Sequence, residues 1–402
     1  MEYTQKSSSL MRKLNRIVLL FVGIILASIF LELFMRATSI PLPDFSDGIY
    51  DFPCYRASDV SWIALKQNAT CTLHSKISAF PDSIIKTNSF GLRNGDIQIQ
   101  KRPGSTRLLF IGDSFTFGFG VKESESFPSL IQKYLSSAVP NTPIEVINAG
   151  MPAVGSGRYY LRYHTAPYAN DADIIVIALY VYNDFIDSEI KPHWIDVNGD
   201  HLPDRITTDQ AHIDYKGNLV SNYRPAFLEI PILNDSRLLK LTWLAWNRIA
   251  TNGNKPVTPL IPDALCVYMS DCAKAGTAFA ERQKLFLTMK QLTQSRNQKI
   301  LFVMIPAEFQ VYDDTRLVKY HIPIALSPDE KERPEKIMGT YFQENNIPYV
   351  DLLPILKEWR GEHPYFTLDE HFNAAGHQIT ADALFPVIKS WITASASATP
   401  SE

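Results

Sequence analysis

Four short segments of this 402-residue chain carry side chains that can do chemistry together. Gly112-Asp113-Ser114 offers a hydroxyl nucleophile, and Asp369-Glu370-His371 offers an imidazole with a carboxylate two positions before it. Asn148-Ala149-Gly150 and Tyr182-Asn183-Asp184, between them in the chain, offer a glycine backbone N–H and a carboxamide. A serine hydroxyl attacks poorly until a neighbouring imidazole takes its proton, and histidine can do so at neutral pH. Asp369 on the far ring nitrogen of His371 would fix the tautomer and stabilise the imidazolium. The backbone N–H groups of Ser114 and Gly150, with the Asn183 amide, would donate to the oxyanion of a tetrahedral intermediate. A glycine at 150 lets that backbone approach without a clashing Cβ. The chemistry would be acyl transfer through an acyl-enzyme on Ser114.

Each residue also has a plainer reading. Ser114 could cap the helix that follows it. Asp113 reads as a hydrogen-bond acceptor bracing its own loop. His377 would lie inside the last helix as a structural residue, with Asp184 and Asp351 structural as well and Glu370 turned to solvent.

Such residues need a scaffold that brings distant segments together. Leu108–Ile111 is a short apolar run ending at Gly112, a buried strand meeting a turn. Phe127, Leu130, Ile131, Tyr134 and Leu135 then follow helical spacing. Ile144–Ile147, Ile174–Tyr180, Ile300–Ile305 and a strand beginning at Ile347–Val350 complete five strands. The third is apolar throughout, as a strand buried on both faces should be. A helix carrying Phe279, Leu285, Phe286, Met289 and Leu292 precedes the fourth strand, and a last helix runs from about Ala374 to Ile392, with a kink expected at Pro386. Strands alternating with helices predict an α/β three-layer sandwich around a five-stranded parallel sheet. Reactive groups then sit on loops at the carboxyl ends of its strands.

The segment from Leu109 to Gly118, LFIGDSFTFG, resembles the first block of the SGNH (GDSL-type) hydrolase superfamily. Gly150 stands as its second block, Asn183 lies in the third and Asp369 with His371 in the last. The segment from Thr87 to Arg93, TNSFGLR, is similar to one often seen just before the first block in bacterial membrane-linked members. The resemblance covers about Asn88 to Ile392 and implies a flavodoxin-like fold and ester chemistry without a cofactor. It departs from the family pattern at three positions. Phe115 replaces a leucine, Val181 stands where a glycine often precedes the Asn-Asp pair, and Leu368 occupies the usual acid position three residues before the histidine. Asp369 is the nearest substitute, a spacing similar to that of some polysaccharide acetyl-transfer relatives. The resemblance implies a serine esterase acting on acyl, first of all acetyl, esters of cell-surface glycans or lipids. Two alternatives stay open: a polysaccharide O-acetyltransferase working with a multi-span membrane partner, and a non-catalytic glycan-binding assembly factor.

The hydrolase domain is expected over 106–392, with an insertion at 185–276 that could roof the site. The insertion holds hairpin signals at Asn198-Gly199 and Lys216-Gly217 and an apolar stretch, Leu238–Ile249, with Trp243 and Trp246. Core packing is the expected role of these tryptophans, over a substrate or membrane contact. Asp196, Asn198 and Asp200 alternate as oxygen ligands of a calcium loop do, with His201 in place of the usual glycine. An Asn-Gly hairpin with solvated acids explains the same residues with no metal.

Residues 1–36 read as a cytosolic N-terminus and membrane anchor. Ile17–Met35 gives 19 residues interrupted only by Glu32, about the length of a spanning helix if Glu32 snorkels to the far interface. Lys6, Arg12, Lys13 and Arg16 precede it while Asp44, Asp47 and Asp51 follow, which places the catalytic part outside the cytosol, in a periplasmic or extracytoplasmic space. A cleaved signal peptide is the rival, but its apolar core would be shorter. Residues 37–105 read as a linker and irregular leader, and 393–402 as a disordered tail. Cys54 with Cys71 and Cys266 with Cys272 fit two local disulfides in an oxidising compartment, with metal binding or free thiols as the alternatives. A net charge of -3 argues against a nucleic-acid partner.

Overall fold

In a computed structural model, residues 2–38, 50–186, 193–208, 211–214, 216–221, 230, 233, 236–250, 263–312 and 326–397 are described. They fall into two compact units, Met1–Asp47 with Tyr223–Thr258, and Gly48–Asn222 with Pro259–Glu402.

The larger unit is built on five parallel strands: β1 (Thr106–Ile111), β2 (Ile144–Asn148), β3 (Ile174–Tyr180), β4 (Lys299–Ile305) and β5 (Tyr349–Asp351). Their order across the sheet is β5-β4-β3-β1-β2. This is the 2-1-3-4-5 order of flavodoxin-like folds. β3 lies central and all seven of its residues are buried, which accounts for its unbroken apolar run. Helices α1 (Phe127–Ala138) and α5 (Ala374–Ser397) pack on each other. Helix α3 (Ala273–Ser295) packs on α2 (Ser156–Thr165) and on α4 (Pro328–Glu344). These two groups cover the sheet as the outer layers of the expected sandwich. Phe279, Leu285, Phe286 and Met289 of α3 are buried, as their spacing predicts.

Several expectations change. Residues 50–86 are not irregular: Tyr50–Asp51, Thr70–Ser75 and Ser83–Lys86 form a three-stranded antiparallel sheet, and Tyr55–Ser58 pairs with Trp62–Leu65. In Thr70–Ser75 burial alternates strictly, with Cys71, Leu73 and Ser75 inward, so a strand period hides within a Pro- and Ser-rich stretch. Cys54–Cys71 and Cys266–Cys272 are disulfides, with Cα atoms 5.7 and 5.3 Å apart. The last helix continues through Ser397 because no helix breaker interrupts its Ala- and Ser-rich end.

Both hairpin signals fold as hairpins, His193–Ile195 with Arg205–Thr207 and Ala211–Ile213 with Leu219–Ser221. The second packs on the leader, where the Phe52 N–H donates to Asn218 Oδ1 and the Tyr55 N–H to the Gly217 carbonyl. The rest of the insertion within this unit includes segments outside the described residues, among them 187–192 and 259–262.

The smaller unit contains an apolar helix, Glu2–Ala37, whose stretch Lys13–Ala37 is long and apolar enough to cross a membrane. It also contains the helix Arg237–Ala250. Glu32 is not left to snorkel. Its carboxylate accepts from the N–H groups of Arg237 (3.1 Å) and Leu238 (2.8 Å) and from Ser236 Oγ (3.1 Å), so it caps the second helix. Trp246 is 70% exposed, against the core role expected of it.

Candidate active site

The site is assembled at the carboxyl ends of β1, β2 and β3. β1 ends in Gly112, and Ser114 opens a single buried helical turn, Ser114–Phe117. Asp113 caps that turn by accepting the Phe115 N–H at 2.9 Å, the bracing role read from its position. Burial raises the Asp113 carboxyl above the ordinary range, against the pull of that N–H. Gly118 closes the turn with φ +81, a left-handed cap that glycine adopts without strain. The buried Arg93 guanidinium then collects the carbonyls of Phe117, Gly118 and Val121 and lies 5.0 Å from the Phe117 ring centroid. Arg93 therefore locks the loop that follows Ser114, a role its segment's resemblance did not disclose.

His371 Nε2 lies 2.7 Å from Ser114 Oγ, and its Nδ1 lies 2.5 Å from Asp369 Oδ1. Asp369 Oδ1 also accepts the His371 N–H at 2.7 Å, a tight local turn made possible by the two-residue spacing. Leu368, at the usual acid position, is 53% exposed. Ser114 and His371 are each 9% exposed and Asp369 2%, so the relay is nearly dry. Phe119 and Phe115 flank the imidazole, with ring centroids at 4.8 and 5.2 Å. Burial is the largest influence on His371 and opposes its charge. The Asp369 carboxylate, its hydrogen bond and the more distant Glu370 and Asp113 outweigh burial and lift the imidazole to about 9.

Asp369 has a second partner that no motif signals: the Tyr50 hydroxyl donates to its Oδ2. Tyr50 comes from the first strand of the leader sheet, so that segment is part of the site. Tyr50→Phe is expected to lower kcat about tenfold at steady KM, since a hydrogen bond to a charged group contributes roughly 1.5–3 kcal/mol. Steady-state kinetics on a small aryl acetate measure this directly.

Gly150 packs on the Ser114–Phe117 turn. A Cβ there would come within 2.3 Å of Phe117 N and 2.6 Å of Thr116 C, so only glycine fits. Its N–H donates to Asn148 Oδ1 at 3.0 Å, so this expected oxyanion donor is engaged by its own loop. Asn183 sits in the helical turn Val181–Asp184 that follows β3, half-buried, with its Oδ1 buried and unpartnered among the described residues. Asn183→Ala is expected to lower kcat by roughly 10²–10³ with little change in KM, as loss of an oxyanion donor does. A change confined to KM would place Asn183 in substrate binding instead.

The neighbouring acids and His377 have structural partners. Asp184 Oδ2 accepts from the Tyr180 N–H (2.7 Å) and Tyr159 hydroxyl (2.9 Å), and Asp351 Oδ1 caps a short helix through the Leu353 N–H (2.9 Å). His377 Nδ1 accepts from the Phe127 N–H at 3.3 Å, and burial holds its imidazole down at about 3. Glu370 is not turned wholly to solvent: Tyr180 Oη donates to its Oε2 at 3.1 Å. In the 196–204 loop, Asp196 Oδ1 and Oδ2 accept the N–H groups of Gly199 and His201, and Asn198 Oδ1 that of Asp200. These bonds brace the hairpin.

No protein-family model and no curated protein matches the sequence. Among solved structures the chain is similar to TesA, at 14% identity over 71% of this chain and 99% of that one, with a TM-score of 0.38. It is also similar to the lipase/acylhydrolase from Enterococcus faecalis, at 13% identity over 71% and 96%, TM-score 0.39. A third is a catalytic mutant of Axe2, an acetylxylan esterase from Geobacillus stearothermophilus, at 14% identity over 72% and 96%, TM-score 0.38. These are distant likenesses.

Proposed function

We propose that the chain is a serine esterase of the SGNH type, using Ser114 as nucleophile, His371 as base and acid, and Asp369 as the orienting carboxylate. The observation that carries this is the unbroken relay from Ser114 Oγ through His371 to Asp369, at 2.7 and 2.5 Å, on loops above the sheet. Attack of Ser114 Oγ on an ester carbonyl passes its proton to His371 Nε2, and Asp369 stabilises the imidazolium. The Ser114 N–H and the Asn183 carboxamide donate to the oxyanion, with the Gly150 N–H joining them if Asn148 Oδ1 releases it. His371 then protonates the departing alkoxide, and a water molecule repeats the sequence to free the acid.

Acetyl esters of cell-surface glycans or lipids are the proposed substrates, with the apolar helix anchoring the enzyme and its catalytic part outside the cytosol. A second reading, sugar O-acetylation with a multi-span partner, is favoured by one observation, the Asp-x-His spacing of residues 369 and 371. It differs only in the acceptor. The test is mass spectrometry of the full-length protein after treatment with a fluorophosphonate probe. An adduct on Ser114, absent from Ser114→Ala, supports the enzyme; an unmodified Ser114 in folded protein supports the binding-only alternative. Competition between water and added sugar for the acyl group separates hydrolase from transferase.

A further inference from the structure

The helix Arg237–Ala250 is not used by the catalytic reading. Its sequence, RLLKLTWLAWNRIA, holds three basic residues, two tryptophans and no acid. At 100° per residue, Leu238, Leu239, Trp243 and Trp246 fall on one face with Trp246 near its middle, while Arg237 and Lys240 fall on the other side, with Leu241 beside Arg237. Trp246 is 70% exposed, so the middle of this face is left open, with Leu238, Leu239 and Trp243 half-buried around it.

The start of the helix is fixed at one end of the apolar helix Glu2–Ala37. Glu32 receives the N–H groups of Arg237 and Leu238, Arg36 Nε pairs with Glu32 at 2.8 Å, and Arg237 Nη1 donates to the Met35 carbonyl at 3.0 Å. From Lys13 to Leu31 every residue of the apolar helix is exposed except the half-buried Ser28. The second helix therefore does not run down the spanning stretch. It leaves from its C-terminal end, at the level where a spanning helix emerges from the hydrocarbon.

We infer that the helix Arg237–Ala250 is a second membrane contact, lying in the outer headgroup layer with Trp246 and Trp243 turned toward the acyl chains. At 1.5 Å per residue its 14 residues cover about 21 Å of membrane surface. Tryptophan at headgroup level, leucine below it and lysine and arginine facing water are the composition of interfacial helices. Its positive charge matches anionic lipid, and a lipid surface is already continuous with the helix that Glu32 ties it to. The inference rests on the reading that Glu2–Ala37 spans a membrane.

The test uses the full-length protein in phospholipid vesicles with a nitroxide at one added cysteine per sample, at Ile25, Lys240, Trp243 or Trp246. Collision rates with oxygen, which concentrates in lipid, and with a water-soluble nickel chelate are compared. The expected result is a high oxygen-to-nickel ratio at 25, intermediate ratios at 243 and 246, and a low one at 240. A lipid-embedded 25 with 243 and 246 as aqueous as 240 overturns the inference while leaving the anchor intact. An aqueous 25 overturns the anchor, and the interfacial helix with it. Two independent apolar-face positions guard against one label disturbing the helix.

Discussion

Ser114→Ala is expected to abolish turnover of a small aryl acetate while leaving the fold intact. The Ser114 hydroxyl is the group that His371 Nε2 is placed to deprotonate, at 2.7 Å. The loss is the nucleophile alone: Asp113 still caps the turn through the Phe115 N–H, and Arg93 still holds the carbonyls beyond it. The residue is 9% exposed and an alanine fits the same space, so thermal unfolding should be nearly unchanged. Removing a triad nucleophile costs on the order of 10⁶ in kcat. Activity within threefold of wild type would overturn the assignment.

Asp369→Asn is the second large effect, and it carries a pH signature. Neutralising a triad carboxylate favours the wrong tautomer and lowers kcat by up to ~10⁴. Only neutral imidazole can take the serine proton, so activity is present above the His371 pKa and lost as pH falls through it. In the wild type that acid limb of kcat/KM is expected near the raised value of about 9, well above the ordinary 6.5. In Asp369→Asn the anion that opposes burial is gone, so the surviving activity should keep its acid limb at or below 6.5. Glu370→Gln, removing a more distant charge, should move the limb slightly downward with little loss of kcat. An Asp369→Asn loss of tenfold or less with an unmoved limb would mean that His371 is oriented without a carboxylate.

The sheet and the relay were legible in the sequence for the same reason. Each main strand is a run of buried apolar residues, and β3 falls on the boundaries its pattern predicts, Ile174–Tyr180. The reactive residues follow strand ends or precede a helix, positions that turn chemistry marks. Tyr50 was illegible because its link to Asp369 spans 319 positions and obeys no local period. The engagement of Gly150 by Asn148 is a backbone matter that residue types do not reveal. Helix α4 did carry a signal: Ser327 and Glu330 form a capping box, a pattern visible in the letters SPDE. Trp246 misled because burial of tryptophan is an average, and this one belongs to an open helix face.

The leader sheet has a bearing on when the relay is fully aligned. Tyr50, which donates to Asp369, sits on a two-residue strand paired with His74 and Ser75. A strand so short has little hold of its own. The Cys54–Cys71 bridge ties the chain just after it to the strand it pairs with, limiting how far Tyr50 can wander. Oxidation of two thiols outside the catalytic centre is thus coupled, through one tyrosine, to the alignment of the imidazole within it. A chain whose two thiols are still reduced would have its serine and histidine in place but a loosely held Asp369, and the relay would be complete only when the thiols have paired.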